Sequence, residues 1–309
     1  MGSLTGEGIS AVPQLNVKEL HPYFGAEISG INFSESIRDD VFENILALSA
    51  KYGVLVFRST GLDDPGHIDF ARRFGTLYSM KHVLGDTKGR LGTDELADLS
   101  NVDSETGEPI PGEGPKAHIA KLSSFFHADL AYTQPRASWS ILKAHEIPPP
   151  GYGGDTIFAD TRTAFQDLDE IELGLKDRLL SKDYVGVHSW QHALKTSNPA
   201  MFKALDPSAY PMAKHRLVEL HQPSGRLNLY IGLYLHHIEC AAEEEVEVAG
   251  LHHKLLQHAI KSKYQLNIEW HYPGDMIIWD NRTVMHKAGP GTYAGKFRRD
   301  LRRATVLDS

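Results

Sequence analysis

The chain has 309 residues, 41% of them apolar and 9% aromatic, which is enough to bury a sizeable core in one large domain. A net charge of −8 speaks against a general nucleic-acid binder, and a single cysteine, Cys240, excludes an intramolecular disulfide and fits a reducing compartment. No apolar run approaches the ~20 residues that cross a bilayer, and no basic-then-apolar leader marks a signal peptide. A cytoplasmic protein without a membrane or nucleic-acid partner is expected. Seventeen histidines are a first compositional hint of metal chemistry.

In chain order, residues 1–14 read as a loose leader and 15–32 as short strands with glycine turns. Val41, Ile45, Leu46 and Leu48 predict a helix over 38–51. A buried strand follows at 53–57. Leu62-Asp63-Asp64-Pro65 signals the start of a helix over 64–74. From 101 to 124 the chain is rich in Gly, Pro, Asp, Glu and Ser without periodicity, and reads as a lid inserted before His127 or as a plain surface insertion. Strands are predicted at 137–144 and 155–160, helix over 161–181, and a strand at 227–231. The run 241–263 predicts a helix, opening on Glu243-Glu244-Glu245 where the helix dipole favours negative charge. Strands at 266–271, 275–280 and 297–306 close a strand-rich single domain over 15–309 with helices outside it.

Three places carry a histidine and an acid two residues apart. His67-Ile68-Asp69 falls in the helix over 64–74, where side chains two apart diverge by about 200° and cannot share a metal. His237-Ile238-Glu239 sits where a strand gives way to the acidic helix start. His127-Ala128-Asp129 lies at a loop-to-strand edge, where both side chains point to one face. Further on, Trp279-Asp280-Asn281-Arg282 leads to His286. If 297–306 is a strand, Phe297, Arg299, Leu301, Arg303 and Thr305 share a face. Two arginines among apolar residues are costly without anionic partners, whereas a solvated edge strand would need none.

With these residues in place, the sequence resembles the TauD/TfdA group of iron(II)- and 2-oxoglutarate-dependent dioxygenases over roughly 20–307. The matching stretches are 24–30, 54–75, 127–156 and 279–306. The resemblance implies a mixed α+β fold: a double-stranded β-helix (jelly roll, cupin-like) core with surrounding helices. It assigns His127, Asp129 and His286 to a facial triad that leaves three positions open on Fe(II) for co-substrate and O2. Thr156 and Arg299 match the residues that bind 2-oxoglutarate, the guanidinium pairing bidentately with its distal carboxylate. Arg303 matches an arginine facing an anionic substrate. Arg298 and Arg302 stand as alternatives to these two. His82 lies near a position where relatives place substrate ligands.

Two departures stand out. Phe126 replaces a tryptophan frequent before the histidine, and the segment 101–124 has no counterpart from which contacts carry over. Asp129 itself argues against a halogenase. The implied reaction oxidises a C–H bond of a small carboxylate or sulfonate, with hydroxylation as the default and desaturation or cyclisation as variants. A homo-oligomer stays open. A zinc hydrolase and a non-catalytic jelly-roll binding protein are the rival readings.

Overall fold

The computed structural model describes residues 15–308 apart from 88, 114, 242–247 and 249. The leader 1–14 and the run Glu243-Glu244-Glu245 lie outside the described residues. The strands are β1 (Asn16–Glu19), β2 (Ala26–Ser29), β3 (Val54–Phe57), β4 (Ala97–Asp98) and β5 (Ala137–Glu146). Then come β6 (Thr156–Asp160), β7 (Val185–His188), β8 (Ala213–Arg216), β9 (Val218–His221) and β10 (Arg226–Leu229). The last five are β11 (Leu235–Glu239), β12 (Gln265–Ile268), β13 (Met276–Asp280), β14 (Val284–Ala288) and β15 (Asp300–Leu307).

One sheet has seven strands in the order β1-β2-β3-β13-β5-β15-β4, and a second runs β12-β6-β14. Only β2 and β3 are paired in parallel among the named pairs of the large sheet; its other pairs are antiparallel. A core lies between these two sheets. Val54, Val56, Leu142, Ile277, Trp279 and Leu301 of the large sheet meet Phe158, Leu266, Ile268 and Val284 of the small one. The alternation of strand side chains sends Leu55, Phe57, Ile141, Ile278 and Ala304 to the opposite face, where helices cover them.

Those helices follow from local signals. Helix α1 (Asp39–Tyr52) has acids in its first turn and Lys51 in its last, and ends on Gly53 at φ 71°. It buries Phe42 and Ile45 against the outer face. Helix α2 (Asp64–Arg72) is capped by Asp63, whose carboxylate accepts from Gly66 N at 2.8 Å, with Pro65 in the first turn.

Several boundaries differ from expectation. The predicted helix over 161–181 is two helices, Thr161–Gln166 and Leu175–Ser181, separated by a 3-10 turn and by Gly174 at φ 79°. Among the described residues of the run 241–263, a helix spans Leu251–Ala259 and is preceded by Gly250 at φ 76°. The aperiodic stretch 101–124 contains a helix, Pro115–Leu122, and a bridge between Val102 and Pro109. Strand β14, which carries His286, was not anticipated. Its five residues include Lys287 and a histidine, too few and too polar for a period of two to be read. No helix among the described residues is long and apolar enough to cross a membrane.

Candidate metal centre

His127 and His286 face each other across a backbone bridge. His127 N donates to His286 O at 3.0 Å and His286 N to His127 O at 2.9 Å, which leaves the ring centroids 4.3 Å apart. His286 projects from β14 to the face that also carries Val284, toward the inter-sheet core. Gly232, at φ 139°, lets a loop pass so closely that a Cβ there would sit 3.1 Å from His127 Cα. Asp129 is fixed through its own amide, which donates to Asn281 Oδ1 at 3.0 Å. Directly after it the chain turns through Leu130 at φ 48°.

The three side chains converge. Asp129 Oδ1 lies 3.8 Å from His127 Nε2, and Asp129 Oδ2 lies 3.6 Å from His286 Nε2. One ligand atom from each residue falls within 4.8 Å of the others, and all three residues are buried. The tautomer suits a ligand: His127 Nδ1 donates to Phe125 O at 2.8 Å, so Nε2 keeps its lone pair facing the cluster. Burial lowers the pKa of both imidazoles, favouring the neutral, metal-binding form. Burial alone would raise the Asp129 carboxyl, but Arg303, the two histidines and the Ser140 hydroxyl outweigh it and hold it at about 2. Two imidazoles and one carboxylate on one side form a donor set that fits a divalent transition metal.

The arginines separate by strand face. Arg303 Nη1 donates to Asp129 Oδ1, and its Nε donates to Thr305 Oγ1 at 3.1 Å. Arg299, just before β15, is buried, and its Nε donates to Gly154 O at 2.9 Å. No carboxylate among the described residues pairs with that guanidinium, and burial pushes its pKa down. Arg302 points to the other face, to Asp300 and Asp64, and Arg298 reaches Glu146 at 3.8 Å on the surface. Thr156 opens β6 and is paired with Ala288, as Phe158 is with His286, so it shares the His286 side of that sheet.

His82 is exposed and sits beside the site rather than in it. Its Nε2 lies 3.0 Å from the hydroxyl of Tyr78, which is close enough to Arg303 to feel its charge. The other two His-x-acid pairs do not form metal clusters among the described residues. His67 is buried and donates to Ile141 O at 3.0 Å, while Asp69 pairs with Arg72 outside. His237 and Glu239 share a face of β11 but on the surface, where Glu239 also binds Lys214.

Sequence reasoning missed the aromatic wall. Tyr132, Tyr234 and Trp190 form a triangle with centroid separations of 4.9 to 5.5 Å, and Tyr234 lies 5.6 Å from His127. These residues come from three separate segments, and no spacing links them. It also missed Ser140. A faint signal was present: Ser138 and Ser140 recur at a period of two among Ala137, Trp139, Ile141 and Leu142.

A family model, taurine catabolism dioxygenase TauD, TfdA family, matches residues 16–305, and the chain belongs to that family. It is an oxidoreductase of the 2-oxoglutarate-dependent dioxygenase class. It is 32% identical to the alpha-ketoglutarate-dependent 2,4-dichlorophenoxyacetate dioxygenase of Cupriavidus pinatubonensis, over 94% of this chain and 96% of that one. It is 30% identical to the (S)-phenoxypropionate/alpha-ketoglutarate-dioxygenase of Sphingobium herbicidovorans, over 90% of each. Its fold matches the crystal structure of AAD-2 in complex with Mn(II) and N-oxalylglycine, with a TM-score of 0.80 and 24% identity over 96% and 98% of the two chains.

Proposed function

We propose that the protein uses Fe(II), 2-oxoglutarate and O2 to oxidise a C–H bond of a small aryl-bearing carboxylate, with hydroxylation as the outcome. In this reading the two facing sheets are the walls of a jelly roll, and His127, Asp129 and His286 hold the iron. When bound, the metal supplies the oxygen activation and the oxidative decarboxylation of 2-oxoglutarate to succinate and carbon dioxide.

The residues of the chain bind, orient and shield. Arg299 receives the distal carboxylate of 2-oxoglutarate, with Thr156 beside it on the same face as His286. The carrying observation is the Arg299 guanidinium itself, buried and in a salt bridge with no carboxylate among the described residues, its burial outweighing the attraction of Tyr293 and Asp155. A charge held that way needs an anion from outside the chain. A hydrolase would leave it without a purpose. The carbonyl of Gly154 fixes the fork by its Nε, leaving the terminal nitrogens for a planar carboxylate.

Arg303 faces the substrate's carboxylate. Only one of its terminal nitrogens is committed to Asp129, so it can carry the substrate anion at a set distance from the metal. Tyr132, Tyr234 and Trp190 offer ring faces and edges next to His127, which suits an aromatic substrate. The relatives named for phenoxy acids support that choice. His82 acts through Tyr78 at the rim.

Replacing Arg299 by Lys tests the co-substrate assignment. Loss of a bidentate charged pair should weaken 2-oxoglutarate binding roughly 10- to 100-fold, with metal affinity unchanged. An unchanged 2-oxoglutarate affinity would move the assignment to another cation.

A further inference from the structure

Asp129 is held by a relay of hydrogen bonds whose direction can be worked out atom by atom. Trp279 Nε1 can only donate, and it donates to Asn281 Oδ1 at 3.0 Å, as does the Asp129 amide. This fixes which end of the Asn281 amide is oxygen. Asn281 Nδ2 then donates to Ser138 O at 3.2 Å and to Ser140 Oγ at 3.0 Å. Having accepted that bond, the Ser140 hydroxyl turns its proton to Asp129 Oδ2, 2.7 Å away. Ser140, Trp279, Asn281 and Asp129 are all buried, so water does not compete. The pieces come from β13, the turn after it and β5, and Trp279 and Ser140 are register partners.

We propose that Ser140, with its hydroxyl aimed by Asn281, is a positioning residue for the carboxylate ligand, holding Asp129 in the orientation that binds the metal. The inference rests on the reading that His127, Asp129 and His286 hold that metal. Ser140 occupies Oδ2 on one side and Arg303 occupies Oδ1 on the other. A carboxylate tied at both oxygens is held against rotation about its Cβ–Cγ bond, so it presents one fixed orientation to the ion.

The test is Co(II) titration of the full-length protein and of four variants, each first checked for folding by circular dichroism and melting temperature. Ser140→Ala should weaken Co(II) binding by threefold or more, toward the roughly tenfold typical of lost outer-shell partners. Ser140→Thr keeps the hydroxyl and should restore the affinity. Ser138→Ala is the internal control. Its hydroxyl is buried on the same strand but bonds Val306 O and Leu307 O, each at 3.1 Å. It should leave Co(II) affinity unchanged. A Ser140→Ala effect below threefold, or an equal loss in Ser138→Ala, overturns the proposal, because general loosening of the strand would then suffice. If Ser140→Thr does not fold, the contrast between the two alanine variants decides alone. Asp129→Ala separates the two readings: unchanged Co(II) affinity there would defeat the metal site itself, whereas a loss there with no effect in Ser140→Ala would defeat only the role of Ser140.

Discussion

At the scale of the residue, the site is a problem of matched charges. Two guanidiniums lie on the inner side of β15 and its approach, and among the described residues only Arg303 forms an ion pair with a carboxylate, Arg299 feeling Asp155 only at longer range. Gly154 makes the Arg299 cradle. At φ 97°, a Cβ there would stand 3.0 Å from Arg299 Nε and 3.1 Å from Tyr293. Gly154→Ala should therefore weaken 2-oxoglutarate binding about tenfold or more, because the guanidinium is displaced. Metal affinity should stay within about twofold. Calorimetry of both ligands checks this, and an intact 2-oxoglutarate affinity would separate Gly154 from the cradle. The histidines and the aspartate were legible because metal chemistry confines ligands to a few residue types. The strand expected after His127 is instead an isolated bridge at His127 followed by a turn that holds Asp129. The register of the arginines was not legible. Four lie between 298 and 303, and only the strand's actual face separates Arg299 and Arg303 from Arg298 and Arg302. Ser140 carried only the period-of-two hint it shares with Ser138, and nothing local tells the two apart until the acceptor, Asp129, is known.

At the scale of the element, the sequence speaks clearly where a boundary has a cap. Asp63 and Gly53 delimit two helices as capping chemistry predicts. It is silent where tertiary contacts decide, as in β14. The segment 101–124 shows both. Its polar composition hid the helix Pro115–Leu122, yet Asn101 at its start holds Arg299 N through its side chain at 2.7 Å. That tie anchors the start of the segment beside Arg299. Helix α2 has a consequence in stability. His67 is docked neutral on Ile141 O, and burial lowers its pKa to about 4 from 6.5. With the folded value depressed, its contribution is complete above pH 6.5, drains as pH falls, and is gone below 4. The loss is on the order of 3 kcal/mol. His67→Gln keeps a donor for the carbonyl and cannot titrate, so its unfolding free energy should fall less between pH 7 and pH 4. Denaturant titrations at the two pH values check this, and parallel losses in the two proteins would refute it.

At the scale of the whole molecule, two sheets built from distant parts of the chain bring residues 127, 129, 140, 156, 286, 299 and 303 into one space. The general order of strands and helices was readable from periodicity. Their pairing was not, because the large sheet joins β3, β13, β5 and β15 across most of the chain, and no local signal encodes such partners. In the proposed function, the protein couples decarboxylation of 2-oxoglutarate to oxidation of an acid at His127, Asp129 and His286. The direct measurement is succinate release with Fe(II), 2-oxoglutarate and air, with and without 2,4-dichlorophenoxyacetate and related aryloxy acids, in the native protein and in Asp129→Ala. Succinate formation that rises with an aryloxy acid and disappears in Asp129→Ala is the predicted result. Equal succinate release by the native protein and Asp129→Ala, or none from a native protein that binds Fe(II) and 2-oxoglutarate across the panel of acids, would contradict it.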